Sequence, residues 1–123
     1  HVERTTIESG ELAYRQISAQ YPDLTAICAV NDAMAIGAMR AACQMGLIIP
    51  DNIPIVGFDN IFWSAYADPP LTTVSIPTIE VGRLAARLLI ERMGGSLTAT
   101  SRTTVLTQLV VRTSCGCRSE SQN

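Results

Sequence analysis

Two short polar pairs follow apolar runs directly and are the residues best placed to bind a small molecule. Asn31–Asp32 follows the run 26–30, and Asp59–Asn60 follows the run 53–58. Runs of this length, rich in β-branched residues, are typical of buried strands. In open α/β sheets the ligand crevice lies at the carboxyl ends of the strands. An amide and a carboxylate there offer both hydrogen-bond donors and acceptors, as a sugar or a purine requires.

Helix capping is the alternative role for both pairs, because Asn and Asp are also favoured N-cap residues. Both roles are compatible if Asp32 and Asn60 cap the helical segments that follow them, while Asn31 and Asp59 face the crevice. We therefore predict Asp59 and Asn31 as ligand-binding residues. Thr78, just before a later predicted helix, is a further candidate for ligand contact, although capping that helix would explain it equally well.

The elements that would position these residues are predicted from apolar periodicity and turn residues. The stretch from residue 26 to residue 58 contains strand, helix and strand within about thirty residues, the length of a βαβ unit. Such a crossover is nearly always right-handed and makes its two strands parallel, so Asn31 and Asp59 should share one edge. Thr5 and Glu8 have the spacing of a capping box for a first helix. Further elements are predicted as a helical segment at 60–67, a strand at 71–76, a helix at 79–93 and a strand at 105–112.

Three aromatic residues, Phe62, Trp63 and Tyr66, follow the second polar pair closely. They could stack on a sugar ring, belong to the core, or form a contact between two copies of the chain. We favour the contact over the stacking, because large aromatic side chains are enriched at the centres of protein interfaces.

The bulk composition predicts one globular domain, since 47% of the 123 residues are hydrophobic and 16% are charged. The net charge is −2 and the nine basic residues are scattered Arg, which argues against a surface for nucleic acid or for an anionic membrane. No apolar run approaches the roughly 20 residues that span a bilayer. Few cysteines and no secretion signal predict a reducing, cytoplasmic location.

The sequence predicts neither catalysis nor a metal or other cofactor. Asp32 and Asp59 could form a Mg²⁺ site of a phosphoryl-transfer fold, but such sites usually include a basic partner such as Lys, and this chain has no Lys. It also has no glycine-rich phosphate loop, nucleophile elbow or catalytic His. Cys115 and Cys117 are the only close pair of cysteines, whereas zinc needs four ligands. Cys28 and Cys43 are predicted as small buried apolar residues.

Four motifs in order resemble those of the LacI/GalR family of bacterial transcription regulators. The segment 31–38 looks like the family's "ND-x-x-A-x-G", and 46–60 resembles "G-x-x-(V/I)P-x-DI-x-(V/I)-VGFD". Residues 69–74 match "PPLTTV", and 109–114 resemble "LVVR-x-S". The spacing agrees from residue 6 to about residue 116, with Asn52 where the family usually has Asp.

The resemblance implies a periplasmic-binding-protein-like type I fold, a three-layer α/β/α architecture with a mainly parallel sheet. In that fold two subdomains enclose a small effector. Residues 1–77 and 105–116 would form the C-terminal effector-binding subdomain, and 78–104 a crossover helix and loop of the other subdomain, leaving 117–123 as a polar tail. In the family, the positions matching Asn31 and Asp59 contact the effector.

The resemblance also implies partners. Members of the family dimerise through the loop that here contains Phe62, Trp63 and Tyr66, and through the helix face that here contains Ile36 and Met39. They bind operator DNA through an N-terminal helix-turn-helix, which this sequence does not contain. A periplasmic sugar-binding protein of an ABC transporter has the same fold and is the alternative, although the segment 69–73 favours the regulator.

Overall fold

A computed structural model of the chain describes residues 4–95 and 102–117. The chain divides into two compact units: unit 1 is formed by His1–Ser75 with Leu109–Asn123, and unit 2 by Ile76–Gln108. Most of the predicted polar tail, from residue 118 onward, and part of the predicted loop, at 96–101, lie outside the described residues.

The described elements alternate between helix and strand, and four strands form one sheet in the order β1-β2-β3-β4. β1 pairs with β2, and β2 with β3, in parallel. The predicted α/β class with a mainly parallel sheet is thus confirmed. The bounds are α1 Ile7–Gln20, β1 Ile27–Cys28, α2 Asp32–Gln44, β2 Ile55–Asp59, β3 Thr72–Ser75, α3 Thr78–Met93 and β4 Gln108–Val110, with 3-10 turns at Phe62–Ala65 and Thr113–Cys115.

Helices α1 and α2 pack closely because both present a glycine where they meet. A Cβ atom on Gly37 would lie 1.9 Å from the carbonyl oxygen of Ile7, and one on Gly10 would lie 2.2 Å from that of Met34. The N-cap of α1 is Thr6, whose hydroxyl accepts a hydrogen bond from the Ser9 amide at 3.2 Å. The cap therefore lies one residue after the predicted Thr5.

The hydrophobic core includes buried side chains from both helices and from the strands, so α1 and α2 cover one face of the sheet. Ile55 and Leu71 are fully buried there. The remaining core residues are Tyr14, Ala35, Ala38, Met39, Ala41, Ala42, Ile49 and Ile53.

The opposite face of the sheet is apolar and open in the described part of unit 1. Val30 is 66% exposed and Leu109 is 60% exposed, and they line a shallow groove with Val56 and Phe58. Cys28 lines the same groove and is exposed, contrary to the prediction, because the face on which it lies has no covering layer here. Cys43 is also exposed, near the end of α2.

Unit 2 consists mainly of α3, which has no buried residue. Ile79, Ile90 and Met93 are each more than two-thirds exposed. The helix begins at Thr78, its N-cap is Pro77, and no side chain caps it. The predicted capping role of Thr78 is therefore wrong. None of the helices in the described ranges is long and apolar enough to cross a membrane.

Candidate effector site at the carboxyl edge of the sheet

Asp59 and Asn31 lie at the same edge of the sheet, where β1 and β2 end. The parallel register pairs Cys28 with Val56, and Asn31 and Asp59 are each three residues further along. Asp59 is the last residue of β2 and is exposed. Among the described residues, no hydrogen bond or ion pair occupies its carboxylate, which leaves both oxygens available to accept hydrogen bonds from a ligand.

Asn31, rather than Asp32, is the N-cap of α2. Its side-chain oxygen accepts a hydrogen bond from the Met34 amide at 2.9 Å. The prediction that Asp32 caps α2 is therefore wrong. The amide group of Asn31 donates only a long hydrogen bond, 3.5 Å, to the Thr5 carbonyl. Asn31 is half-buried, so it could contact a ligand through this amide group while it caps the helix.

Asp59 and Asn60 form a turn with an unusual backbone, here called the Asp59–Asn60 turn. Their φ angles are +109° and +53°. Asn tolerates the left-handed region, whereas Asp at +109° is far from its preferred backbone angles. A residue held in such a sparsely populated conformation destabilises the folded state by on the order of 1–3 kcal/mol. The surrounding structure has to hold this conformation in place.

Asn60 fixes the turn through three hydrogen bonds rather than capping a helix as predicted. Its backbone amide donates to the Thr73 hydroxyl at 3.3 Å, and its side-chain amide donates to the Ser75 hydroxyl at 3.3 Å. Its side-chain oxygen accepts from the Arg112 guanidinium at 2.8 Å. The same guanidinium donates to the Leu71 carbonyl at 2.6 Å. The turn is thus tied to β3 and to the segment that follows β4.

Asp32 is fully buried beneath the turn. Its carboxylate accepts hydrogen bonds from the Ile61 amide at 2.9 Å, from the Thr73 hydroxyl at 2.5 Å and from the Ser64 hydroxyl. Sequence reasoning assigned Asp32 to a helix cap and missed its buried role beneath the turn, and it missed Thr73 and Arg112 as parts of the site. The only local signal was the polar run of β3, Thr72–Thr73, in a strand otherwise expected to be apolar.

Thr78, the third predicted ligand residue, is exposed at the start of α3 in unit 2. An open pocket beside it is lined by Ile76, Ile79, Glu80 and Arg83. Asn31 and Asp59 belong to unit 1.

The predicted interface residues differ in exposure. Phe62, Trp63 and Tyr66 are 68%, 64% and 70% exposed. The ring centroid of Phe62 lies 5.3 Å from that of Trp63 and 4.8 Å from that of Tyr66. Ile36 is half-buried against the core. Met39 is only 3% exposed, because it lies on the core-facing side of α2. Met39 therefore has no surface to contribute to an interface, and its placement there is corrected.

Comparison with known proteins identifies the class. The chain matches the periplasmic binding protein-like domain family over residues 2–115. It is 41% identical over 107 residues to the HTH-type transcriptional regulator MalR of Streptomyces coelicolor, covering 87% of this chain and 30% of that protein. The structure of a transcriptional regulator CelR–cellobiose complex matches with a TM-score of 0.85 at 37% identity, covering 89% of this chain and 33% of that one. The Lac repressor dimer bound to operator and the anti-inducer ONPF matches with a TM-score of 0.82 at 29% identity, covering 89% and 38%.

The fold and the site thus define an α/β domain of the binding-protein-like type. The chain belongs to the periplasmic binding protein-like domain family, and its similarity to LacI-type transcription regulators, predicted from four sequence motifs, is confirmed. It spans about a third of the length of the curated relatives that it matches.

Proposed function

We propose that this chain is the C-terminal part of the effector-binding core of a LacI-type transcription regulator. Residues 1–77 with 105–116 form the C-terminal subdomain, and 78–104 cross over to the other subdomain. Asp59 and Asn31 form one wall of a cleft for a small polyhydroxylated effector, a sugar or a nucleoside. The chain binds this effector without catalysing a reaction.

The exposed Asp59 carboxylate carries this proposal. It lies at the strand end where α/β sheets bind ligands, and its strained turn is held by hydrogen bonds that leave the carboxylate itself unoccupied. A carboxylate can accept hydrogen bonds from two neighbouring sugar hydroxyls, and the Asn31 amide can donate one. The cellobiose in the similar CelR structure supports a sugar as the ligand class. Thr78 is a weaker candidate, because no hydrogen bond among the described residues orients its hydroxyl.

The wider assembly follows from the same relationship. The chain acts as a homodimer, and the protein binds operator DNA through an N-terminal helix-turn-helix outside this chain, which locates it in the cytoplasm. The operator in the similar Lac repressor structure supports this choice over a transporter component. The dimer contact uses Phe62, Trp63 and Tyr66 with Ile36, because these three aromatic side chains form an exposed cluster beside the site.

The effector site is tested in the full-length protein. Cellobiose, lactose, maltose, cytidine and adenosine are screened by thermal shift, since a ligand that binds only the folded state raises the melting temperature. The compound that responds is titrated by calorimetry against Asp59→Ala and Asp59→Asn. We expect Asp59→Ala to weaken binding by at least about a hundredfold, the loss of two hydrogen bonds to a charged group. Operator binding should persist.

The matched control is Asp51→Asn. Asp51 is also an exposed carboxylate and lies four residues before the amino-terminal end of β2, opposite the end that carries Asp59, so its loss should leave effector affinity unchanged. An Asp59→Ala protein that binds the effector like the Asp51 variant would show that the site is elsewhere.

The dimer contact is tested by sedimentation velocity of Trp63→Ala. An aromatic anchor at an interface contributes about 2 kcal/mol or more, so the dissociation constant should rise by about thirtyfold. Tyr21→Ala is the control, because Tyr21 is 56% exposed at the end of α1, away from the cluster. Equal dissociation constants for the two variants would exclude the aromatic cluster from the interface.

A further inference from the structure

Asp32 is a charged side chain buried without a charged partner in the described part of the chain. It is 0% exposed, and the ion pairs found among the described residues involve only Glu11 and Glu91 as acids. A carboxylate in such a place is costly unless several donors satisfy it. Asp32 meets this need with three hydrogen bonds and with its location in the first turn of α2, where the helix dipole favours negative charge.

The three donors have one feature in common: each lies in, or is bonded to, the segment that carries the Asp59–Asn60 turn. Ile61 follows the turn directly, and Ser64 belongs to the 3-10 turn at 62–65. Thr73 of β3 donates to Asp32 and at the same time accepts from the Asn60 amide. One carboxylate therefore fixes both sides of Asn60, directly through Ile61 and indirectly through Thr73.

The sequence of β2 makes room for this carboxylate. A Cβ atom on Gly57 would lie 2.2 Å from an Asp32 side-chain oxygen. Gly57 is buried two residues before Asp59. The absence of a side chain there lets the carboxylate reach under the end of the strand, where it meets the three donors.

We propose that Asp32 is a positioning residue for the effector site. It holds the Asp59–Asn60 turn in its strained conformation, and effector affinity at Asp59 depends on that hold. This inference rests on the proposed function, in which Asp59 binds the effector. Asp32 itself is buried and touches no ligand.

The substitution Asp32→Asn separates this role from simple stabilisation of the fold. The amide keeps the shape of the side chain but has only one acceptor oxygen. The backbone N–H of Ile61 cannot turn away, so the oxygen has to face it, and the new NH₂ group then faces Thr73. The Thr73 hydroxyl loses the acceptor for its proton while still bonded to Asn60, so the disturbance passes to the turn.

The experiment uses the full-length protein and the compound that raises its melting temperature in the five-compound screen. We expect Asp32→Asn to weaken binding by about tenfold, the size of one disrupted charge-assisted hydrogen bond. In ligand-free protein, the Asn60 amide should lose protection from hydrogen exchange, because its acceptor Thr73 is disturbed. The Ile61 amide should lose part of its protection, because its retained acceptor is no longer charged. The tryptophan fluorescence of Asp32→Asn should also differ from that of its control, because Trp63 lies in the 3-10 turn that is bonded to Asp32 through Ser64.

Ile49→Ala and Ile49→Val are the matched controls. Ile49 is 7% exposed and precedes the opposite end of β2, so one of these variants can match the stability loss of Asp32→Asn without touching the turn. The control should retain effector affinity within about twofold. If Asp32→Asn does not fold, Thr73→Val decides, because it removes the hydroxyl that links Asp32 to Asn60.

The binding affinities of the Asp59 and Asp32 variants distinguish failure of this inference from failure of the proposed function. If Asp59→Ala strongly weakens binding while Asp32→Asn, or Thr73→Val in its place, binds like the control, Asp32 is merely structural and the inference is overturned. If Asp59→Ala also leaves binding intact, or no compound binds, the proposed function fails. In that case hydrogen exchange at Asn60 and Ile61 still decides whether Asp32 holds the turn, and unchanged protection refutes it.

Discussion

The close crossing of α1 and α2 makes Gly37→Ala a sharp test of the fold. A Cβ atom there would lie 1.9 Å from the Ile7 carbonyl oxygen, where ordinary contact begins at 3.4 Å, so the helices have to separate by about 1.5 Å. Neither helix backbone can yield locally, so the cost lies at or above the upper end, about 3 kcal/mol, of the usual overpacking range. Ala favours helix over Gly by about 1 kcal/mol, which leaves a net loss of at least about 2 kcal/mol.

Gly10→Ala collides at the same crossing, with its Cβ 2.2 Å from the Met34 carbonyl oxygen. Because one separation of the helices relieves both collisions, the double variant should cost little more than the worse single one. Urea denaturation followed by circular dichroism measures the free energy of unfolding of both single variants and of the double variant. The control is Gly46→Ala, just after α2, where φ is +79° and no atom lies within 4 Å, so only backbone strain of about 1 kcal/mol is expected. Additive single costs, or a Gly37→Ala cost no larger than that of Gly46→Ala, would refute the glycine-mediated crossing.

Three further substitutions test the caps and the core. Thr6→Ala removes the side-chain cap of α1 and should cost about 1 kcal/mol in thermal denaturation, whereas the neighbouring Thr5→Ala should have little effect. Ile55→Ala leaves a cavity in the centre of the sheet and should cost about 2–5 kcal/mol in urea denaturation. Burial raises the pKa of Tyr14 above its ordinary value of 10.0. The folded state then holds this proton more tightly than the unfolded chain. The contribution of Tyr14 to the free energy of unfolding is therefore complete below about pH 10 and is lost as the pH rises through the folded-state pKa. Tyr14→Phe should reduce the loss of stability in alkaline denaturation, and an unchanged alkaline profile would contradict this.

Periodicity located the elements that carry the site, because strand and helix patterns depend on neighbouring residues. The βαβ unit from residue 26 to residue 58, its parallel pairing and the shared edge of Asn31 and Asp59 all follow from such local patterns. Strand ends were less accurate: the last strand was predicted at 105–112 and is observed only at Gln108–Val110. Pairing with β3 decides that length, and no pattern within the segment itself records it.

The burial of side chains on α2 shows a second limit of prediction from the sequence. Ile36 and Met39 lie three residues apart, so they occupy neighbouring positions on one side of a helix and look equivalent in the sequence. In the structure Met39 enters the core and Ile36 only borders it. Packing between separate elements decides which side of α2 is covered, and α1 crosses α2 at Gly10 and Gly37. Which residue remains available to a partner chain thus depends on a contact between segments some thirty residues apart.

The polar pairs show why residue type at a strand end cannot assign the roles within the site. Asn and Asp are both good N-caps and both good ligand groups, so either order is chemically sound for Asn31–Asp32. What separates them is the direction of the chain as β1 passes into α2: the first residue caps the helix, and the second points beneath the sheet edge toward the space that Gly57 leaves open. A charge can occupy that space only because Thr73, Ser64 and Ile61 each supply a donor. The assignment of Asp32 therefore depends on residues twenty-nine to forty-one positions away, which only the folded chain brings together.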